Sequence, residues 1–266
     1  MLKNTLIPVD EFVTRRKQFL AQLPNNSIAL FPAAKELTRS NDTEFLFCQN
    51  KNFYYLTGFN EPDALLLLIK GENETADQSV LFCRDKDLLQ EVWHGRRVGA
   101  ELAQREYQFS QTFPLSEIGL HITDFIDGKN SVHLCQGASN EFDQQVLTWL
   151  KQLKQASRQG KVAPKSIIDC SDLIHDLRLF KSSAELDVMR KANVISGNAH
   201  HRAMEKTSVD KFEYQIEAEI LHEFARNGAR FPAYNSIVAG GDNANILHYT
   251  ENEDVLNDGD LLLIDA

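Results

Sequence analysis

The sequence predicts an α/β N-terminal domain followed by a shorter α+β segment, and three observations carry that expectation. Compact apolar runs of strand length alternate with helical periodicity through the first half. A polar, basic stretch holding Gly160 and Pro164 then breaks both periods. Beyond it the pattern changes to two long amphipathic helices and a group of short strands. A chain of 266 residues exceeds the usual single-domain size, which agrees with two domains.

The elements follow in order. A helix is expected from Asp10, carrying Phe12, Val13, Phe19 and Leu20, until Pro24 and Asn25 stop it. The runs at 27–31, 64–69, 80–83 and 132–135 are compact and mostly apolar, the pattern of strands covered on both faces. Phe142, Val146, Trp149, Leu150 and Leu153 then recur at helical spacing. Residues 154–165 read as a linker, and the boundary is set near Ser171, dividing the chain into 1–170 and 171–266.

Ser182 with Glu185 three residues on predicts a capping box, in which each side chain satisfies an orphan backbone N–H. Val188, Ala192, Ile195, Ala199 and Ala203 give that helix its inner face. A second helix is expected to start at Asp210, with Glu213 as its acidic partner, and to bury Phe212, Ile216, Ile220, Leu221 and Phe224 before Gly228. Runs at 236–239, 246–249 and 261–264 read as strands separated by glycine- and asparagine-containing turns.

Composition removes several classes. Hydrophobic residues make up 42% and charged residues 25%, which is ordinary for a folded globular protein. A formal net charge of −10 leaves no basic footprint for nucleic acid or anionic membranes. Cys48, Cys83, Cys135 and Cys170 lie far apart with no Cys-x-x-Cys spacing, which suits a reduced compartment. Charged residues from Lys3 to Lys17 interrupt any signal-peptide core, and no apolar run approaches the ~20 residues of a membrane span.

The last strand is wholly apolar, with only Asp265 and Ala266 behind it. Such a strand needs cover on both faces, so a truncated product is expected.

Several ordered segments carry a resemblance. In the first half these are Thr38-Arg39-Ser40, the run from Asn52 to Pro62 and Trp93-His94-Gly95-Arg96-Arg97. In the second half they are the run from Leu177 to Ser182, His222-Glu223-Phe224, Asn227-Gly228-Ala229-Arg230, and Tyr234-Asn235-Ser236-Ile237-Val238. The runs from Ile246 to Asn252 and from Asp258 to Ala266 complete the set. Together they resemble the aminopeptidase P branch of the pita-bread metallopeptidases (family M24), and the match spans the whole chain.

The resemblance implies a creatinase/aminopeptidase P type N-terminal domain, then an incomplete pita-bread catalytic domain. It implies a cytoplasmic metallo-exopeptidase that removes the first residue from Xaa-Pro peptides, with two manganese ions activating a hydroxide. Asp265 is then the first of five metal ligands, the other four lying outside this chain. His248 becomes the active-site histidine, suited to donating a hydrogen bond or carrying a proton near neutral pH. Tyr234, Trp93 and Arg158 become substrate-binding residues, Trp93 reaching from a neighbouring subunit of a dimer or tetramer.

Read without the family, these residues keep plainer roles. Asp265 fits a turn or helix cap, His248 a structural histidine, Trp93 core packing, and Arg158 a solvated charge. His200 and His201 are adjacent on a helix and diverge by about 100°, so they form no metal pair. Neither a His-Glu-x-x-His, a Gly-x-Ser-x-Gly, a P-loop nor a Rossmann fingerprint occurs. With one expected ligand present, this chain alone is predicted to be inactive. The alternative from another class is a non-catalytic oligomerisation or binding module.

Overall fold

The computed structural model describes residues 6–266. The first five residues of the domain expected over 1–170, and of the segment read as lacking a signal core, lie outside them. The chain divides into two compact units, 1–181 and 182–266.

The first unit begins with α1 (Val9–Gln22) and β1 (Ser27–Pro32), a short hairpin of β2 (Thr38–Ser40) and β3 (Thr43–Glu44), and α2 (Lys51–Thr57). It continues through β4 (Leu65–Lys70), β5 (Gln78–Cys83), α3 (Leu88–His94), α4 (Ala100–Tyr107) and β6 (Gln111–Pro114). Then come α5 (Ile118–Ile126), β7 (Ser131–Leu134), α6 (Asn140–Gln155), β8 (Ser166–Asp169) and α7 (Ser171–Leu179).

Six strands form one mixed sheet in the order β6-β5-β4-β1-β7-β8. β4 is antiparallel to both β1 and β5, whereas β7 runs parallel to β1 and β8. The apolar runs have the expected cause, because both faces of the sheet are covered. Ala29, Phe31, Leu66 and Leu68 pack on one side with residues of α1, α2, α4 and α7. Ile28, Leu30, Leu65 and Leu67 pack on the other with α5 and α6. Each of the leucine, isoleucine and phenylalanine side chains among them contributes about 1.5–3 kcal/mol of apolar burial.

Two buried arginines tie α1 to this layer. Arg16 donates to the carbonyls of Leu56, Tyr107 and Gln108 at 3.2, 2.9 and 3.0 Å, and its guanidinium lies 4.6 Å from the Phe109 ring centroid. Arg15 donates to the Tyr55 carbonyl at 3.2 Å and pairs with Glu11. Helix α2 is capped by Asn50, whose side chain accepts from the N–H groups of Asn52 and Phe53. It ends at Gly58, which takes φ +64° directly against the Phe12 ring.

The segment expected to link domains instead joins α6 to β8 within one unit. β8 pairs with β7 in parallel, and Cys170 and Ile174 at the start of α7 are buried in the same core as α1. The compact unit therefore runs on to Lys181, past the boundary expected near Ser171.

The second unit holds α8 (Ser183–Lys206), α9 (Glu213–Arg226), β9 (Ile237–Gly240) and β10 (Leu262–Asp265). The Ser182–Glu185 capping box is present in both directions. Of the inner face expected for α8, only Ala199 and Ala203 are buried, with Val188 and Ile195 partly so; Ala192 is exposed. β10 pairs with β9 in antiparallel register, yet Leu263 is 42% exposed and Leu261 84%. Among the described residues, no helix is long and apolar enough to cross a membrane.

Candidate functional site

The second unit builds its site on the end of β10 and the loop after β9. Asp265 is the last residue of β10, register-paired with Ile237, and the Tyr234 hydroxyl donates to its Oδ1. That bond pushes the Tyr234 hydroxyl above the usual phenol range. Two residues named from the sequence are thus in contact.

His248 sits elsewhere in the local chain than expected. Residues 246–249 form a turn rather than a strand, closed by the Tyr249 N–H on the Ile246 carbonyl at 3.3 Å, with the imidazole in solvent. A run with Ile246 and Leu247 looks strand-like, but both are exposed here and pair with no neighbour strand. The turn is held by Tyr249, which is buried beside it.

Tyr249 leads to a residue whose role the sequence conceals. Its hydroxyl donates to Glu213 Oε2 at 2.7 Å, and the Asp254 N–H reaches the same oxygen at 3.0 Å. Oε1 accepts from the Gly240 N–H at 2.7 Å and from Asn243 Nδ2 at 3.1 Å. Glu213 is fully buried, so one carboxylate with four donors fixes the end of β9, the following turn, the residue after His248 and the returning loop.

Helix α9 accordingly starts at Glu213, not Asp210. Asp210 has φ +65°, outside helical space, and Phe212 is 36% exposed rather than buried. The cap is Gln215, whose side chain accepts from the Phe212 N–H at 3.0 Å. A signal for Glu213 was present, since Glu213, Ile216, Ile220 and Phe224 share one buried face. A carboxylate on an apolar stripe needs donors.

A second concealed residue is Asn252, buried with φ +50°. Its Oδ1 accepts from the Val238 N–H and its Nδ2 donates to the Ser236 carbonyl, both at 2.9 Å. The amide therefore acts as a surrogate strand along the edge of β9.

Burial and the bond to Glu213 push Tyr249 up to about 12, and burial does the same for Tyr107 in the first unit. Both folded values lie above the ordinary ~10 of a phenol, so each favours the folded state fully below pH ~10 and loses that contribution as pH rises towards about 12. An ultraviolet phenolate titration should show these two tyrosines ionising late, together with loss of structure; early ionisation of all six tyrosines in the folded chain would contradict the packing.

The remaining named residues lie in the first unit. Trp93 is on α3 and 82% exposed, so core packing is not its role; Leu88, Leu89 and Val92 are exposed beside it. Arg158 is exposed in the single 3-10 turn that follows α6.

Among the described residues, no group of three or more His, Cys, Asp or Glu side chains is arranged to hold a metal ion. Asp265 supplies one carboxylate, already engaged by Tyr234. The donor set present here does not by itself fit a divalent metal centre, which wants several oxygen ligands.

Comparison with known proteins bears on both units. Residues 12–134 match the aminopeptidase P N-terminal domain, and residues 187–266 match metallopeptidase family M24. The chain is 46% identical to the Xaa-Pro aminopeptidase of Escherichia coli over 256 residues, which is 96% of this chain and 58% of that protein. It is 40% identical to the Xaa-Pro aminopeptidase of Haemophilus influenzae, over 98% of this chain and 57% of that protein. Among solved structures it resembles zinc-substituted E. coli aminopeptidase P in complex with product at TM-score 0.95 and 46% identity, covering 97% of this chain and 59% of that one. Proline aminopeptidase P II from Yersinia pestis gives the same values. The chain thus spans about 58% of the length of the E. coli relative it matches. With one recognised domain following the other along it, this chain belongs to the M24 metallopeptidase family, in the group that carries an aminopeptidase P N-terminal domain.

Proposed function

We propose that this chain supplies the N-terminal domain and the opening part of the catalytic domain of a metallo-exopeptidase that releases the first residue from peptides with proline second. The observation that carries the reading is the similarity to Xaa-Pro aminopeptidases, which runs through nearly the whole chain and both domains. A proline nitrogen in a peptide bond has no N–H, so recognition depends on ring shape and favours aromatic walls. In this reading His248 contacts substrate, and Tyr234 and Trp93 offer such walls.

Asp265 is assigned as one ligand of a divalent centre, with manganese as the ion and two ions as the complement. The side chains of this chain do not complete that centre, so the other donors come from outside residues 1–266. What its own residues do is position: Tyr234 holds the Asp265 carboxylate, and Glu213 holds Tyr249 beside His248. The exposed apolar face of α3 supports a homo-oligomer, dimer or tetramer, in which Trp93 meets a second copy. Scattered cysteines support a cytoplasmic setting.

The test is release of arginine from an Arg-Pro-Pro peptide in excess Mn²⁺. Residues 1–266 alone should give no detectable turnover, and robust turnover would overturn the incomplete-centre reading. The reading frame beyond Ala266 should supply a second aspartate, a histidine and two glutamates. A frame lacking them would overturn the peptidase reading and favour a non-catalytic module.

A further inference from the structure

A pair of cysteines at the C-terminal ends of two neighbouring strands serves no part of the proposed peptidase chemistry. β7 and β8 are parallel, with Leu134 paired to Asp169, and the ladder is extended by the Cys170 N–H on the Leu134 carbonyl at 3.1 Å. Cys135 and Cys170 are therefore the next register pair. Neighbouring strands lie about 4.8 Å apart, within the ~4.4–6.8 Å between Cα atoms that a disulfide requires. Both side chains lie on the α1 side of the sheet, Cys170 buried in that core and Cys135 packed against it.

The two sulfurs differ in environment. Cys135 is partly exposed and lines a cavity of about 60 Å³ with Pro32, Asn50, Asn52, Ala138 and Ser139. Cys170 is fully buried. The neighbouring Cys170 thiol, aided by Ser171 and by Asn52 Nδ2 at 3.8 Å, holds Cys135 below the ordinary thiol range against desolvation and the nearby Asp169. Cys170 is pushed the other way by Cys135 and by burial. One thiol is disposed to attack and its neighbour to resolve.

We propose that Cys135 and Cys170 form an oxidisable dithiol, a modification site where a small hydroperoxide converts the pair into a disulfide between strand ends. The Cys135 thiolate attacks a peroxide oxygen, forming an S–O bond as the O–O bond breaks, and the departing hydroxide takes up a proton to leave as water. The sulfur of Cys170 then attacks the sulfenic acid at Cys135, the S–S bond forms, and the S–O bond breaks. The hydroxide released takes the Cys170 proton, so two thiols lose two electrons and hydrogen peroxide becomes two waters. Cys170 needs no access to solvent, because Cys135 is its neighbour across the strand ends on the same face of the sheet. This reaction does not depend on the peptidase reading.

The test treats the whole chain with hydrogen peroxide at neutral pH, then blocks remaining thiols with N-ethylmaleimide and maps the peptides. The expected result is loss of two titratable thiols per chain, recovery of both with dithiothreitol, and a peptide cross-linked through Cys135 and Cys170. Cys48→Ser should leave this unchanged. Cys170→Ser should abolish the cross-link and let sulfenic acid at Cys135 be trapped by dimedone; if that variant does not fold, the map of the unaltered chain still decides. Oxidation confined to Cys48, with Cys135 and Cys170 both still alkylated, would overturn the proposal. So would conversion of Cys135 to sulfinic acid in the unaltered chain without any cross-link.

Discussion

Replacing Glu213 with alanine should destabilise the second unit by on the order of 3 kcal/mol, the largest effect expected of any substitution there. The carboxylate accepts from two backbone N–H groups, one amide and one phenol, all gathered around a buried position. Removing it strands these donors, and a desolvated unpaired donor costs more than the bond itself contributed. Glutamine should rescue little. Each glutamate oxygen faces two donors, so an amide placed there sets its own N–H groups against them. Hydrogen exchange read at the amides of Gly240 and Asp254 checks the claim, with protection lost in both variants. Native protection in Glu213→Ala would show that the loop around His248 is fixed by something else.

Gly58→Ala should cost the first unit a similar amount, about 3 kcal/mol, from two separate sources. The backbone there has φ +64°, which an L side chain adopts only under strain, and the added methyl would sit 2.4 Å from the Phe12 ring. That ring cannot swing aside easily, because Phe12 is buried and packs edge-on against Tyr54 at 5.9 Å. Urea unfolding followed by circular dichroism gives the loss. A double-mutant cycle separates its parts, since Phe12→Leu should be less harmful in the Gly58→Ala background than alone. Equal cost in both backgrounds would leave the backbone strain as the whole explanation.

The first domain was legible in the sequence because its central strands are buried on both faces and so write themselves as mostly apolar runs. Apart from Ala64 and Cys135, which sit one residue outside, residues 27–31, 64–69, 80–83 and 132–135 fall on strands of one sheet. The edge strands β6 and β8 were missed for the same physical reason: half-exposed or exposed, they carry mixed residues such as Gln111 and Ser166. Residues 154–165 look like an interdomain connection because a crossover has the same polar composition, and only β8 after it marks it as part of the sheet.

At the site, the apolar look of Ile246 and Leu247 suggested a strand, but their exposure puts them in a turn. Because a cap is read locally from spacing along the chain, Glu213 is cast as the capping partner of Asp210. Its real partners lie 27 to 41 residues away, a separation no local pattern reports. The contact between Tyr234 and Asp265 spans 31 residues and was approached only through the family resemblance.

The split at Lys181 has a spectroscopic consequence. Both tryptophans, Trp93 and Trp149, lie in residues 1–181, whereas Tyr214, Tyr234 and Tyr249 lie beyond. Trp93 is already solvated and Trp149 is 5% exposed, so a red shift in indole emission on heating reports chiefly the release of Trp149 from the layer beneath α6. A melting curve recorded at that wavelength describes one half of the chain, and the half that bears Asp265 could come apart without altering it.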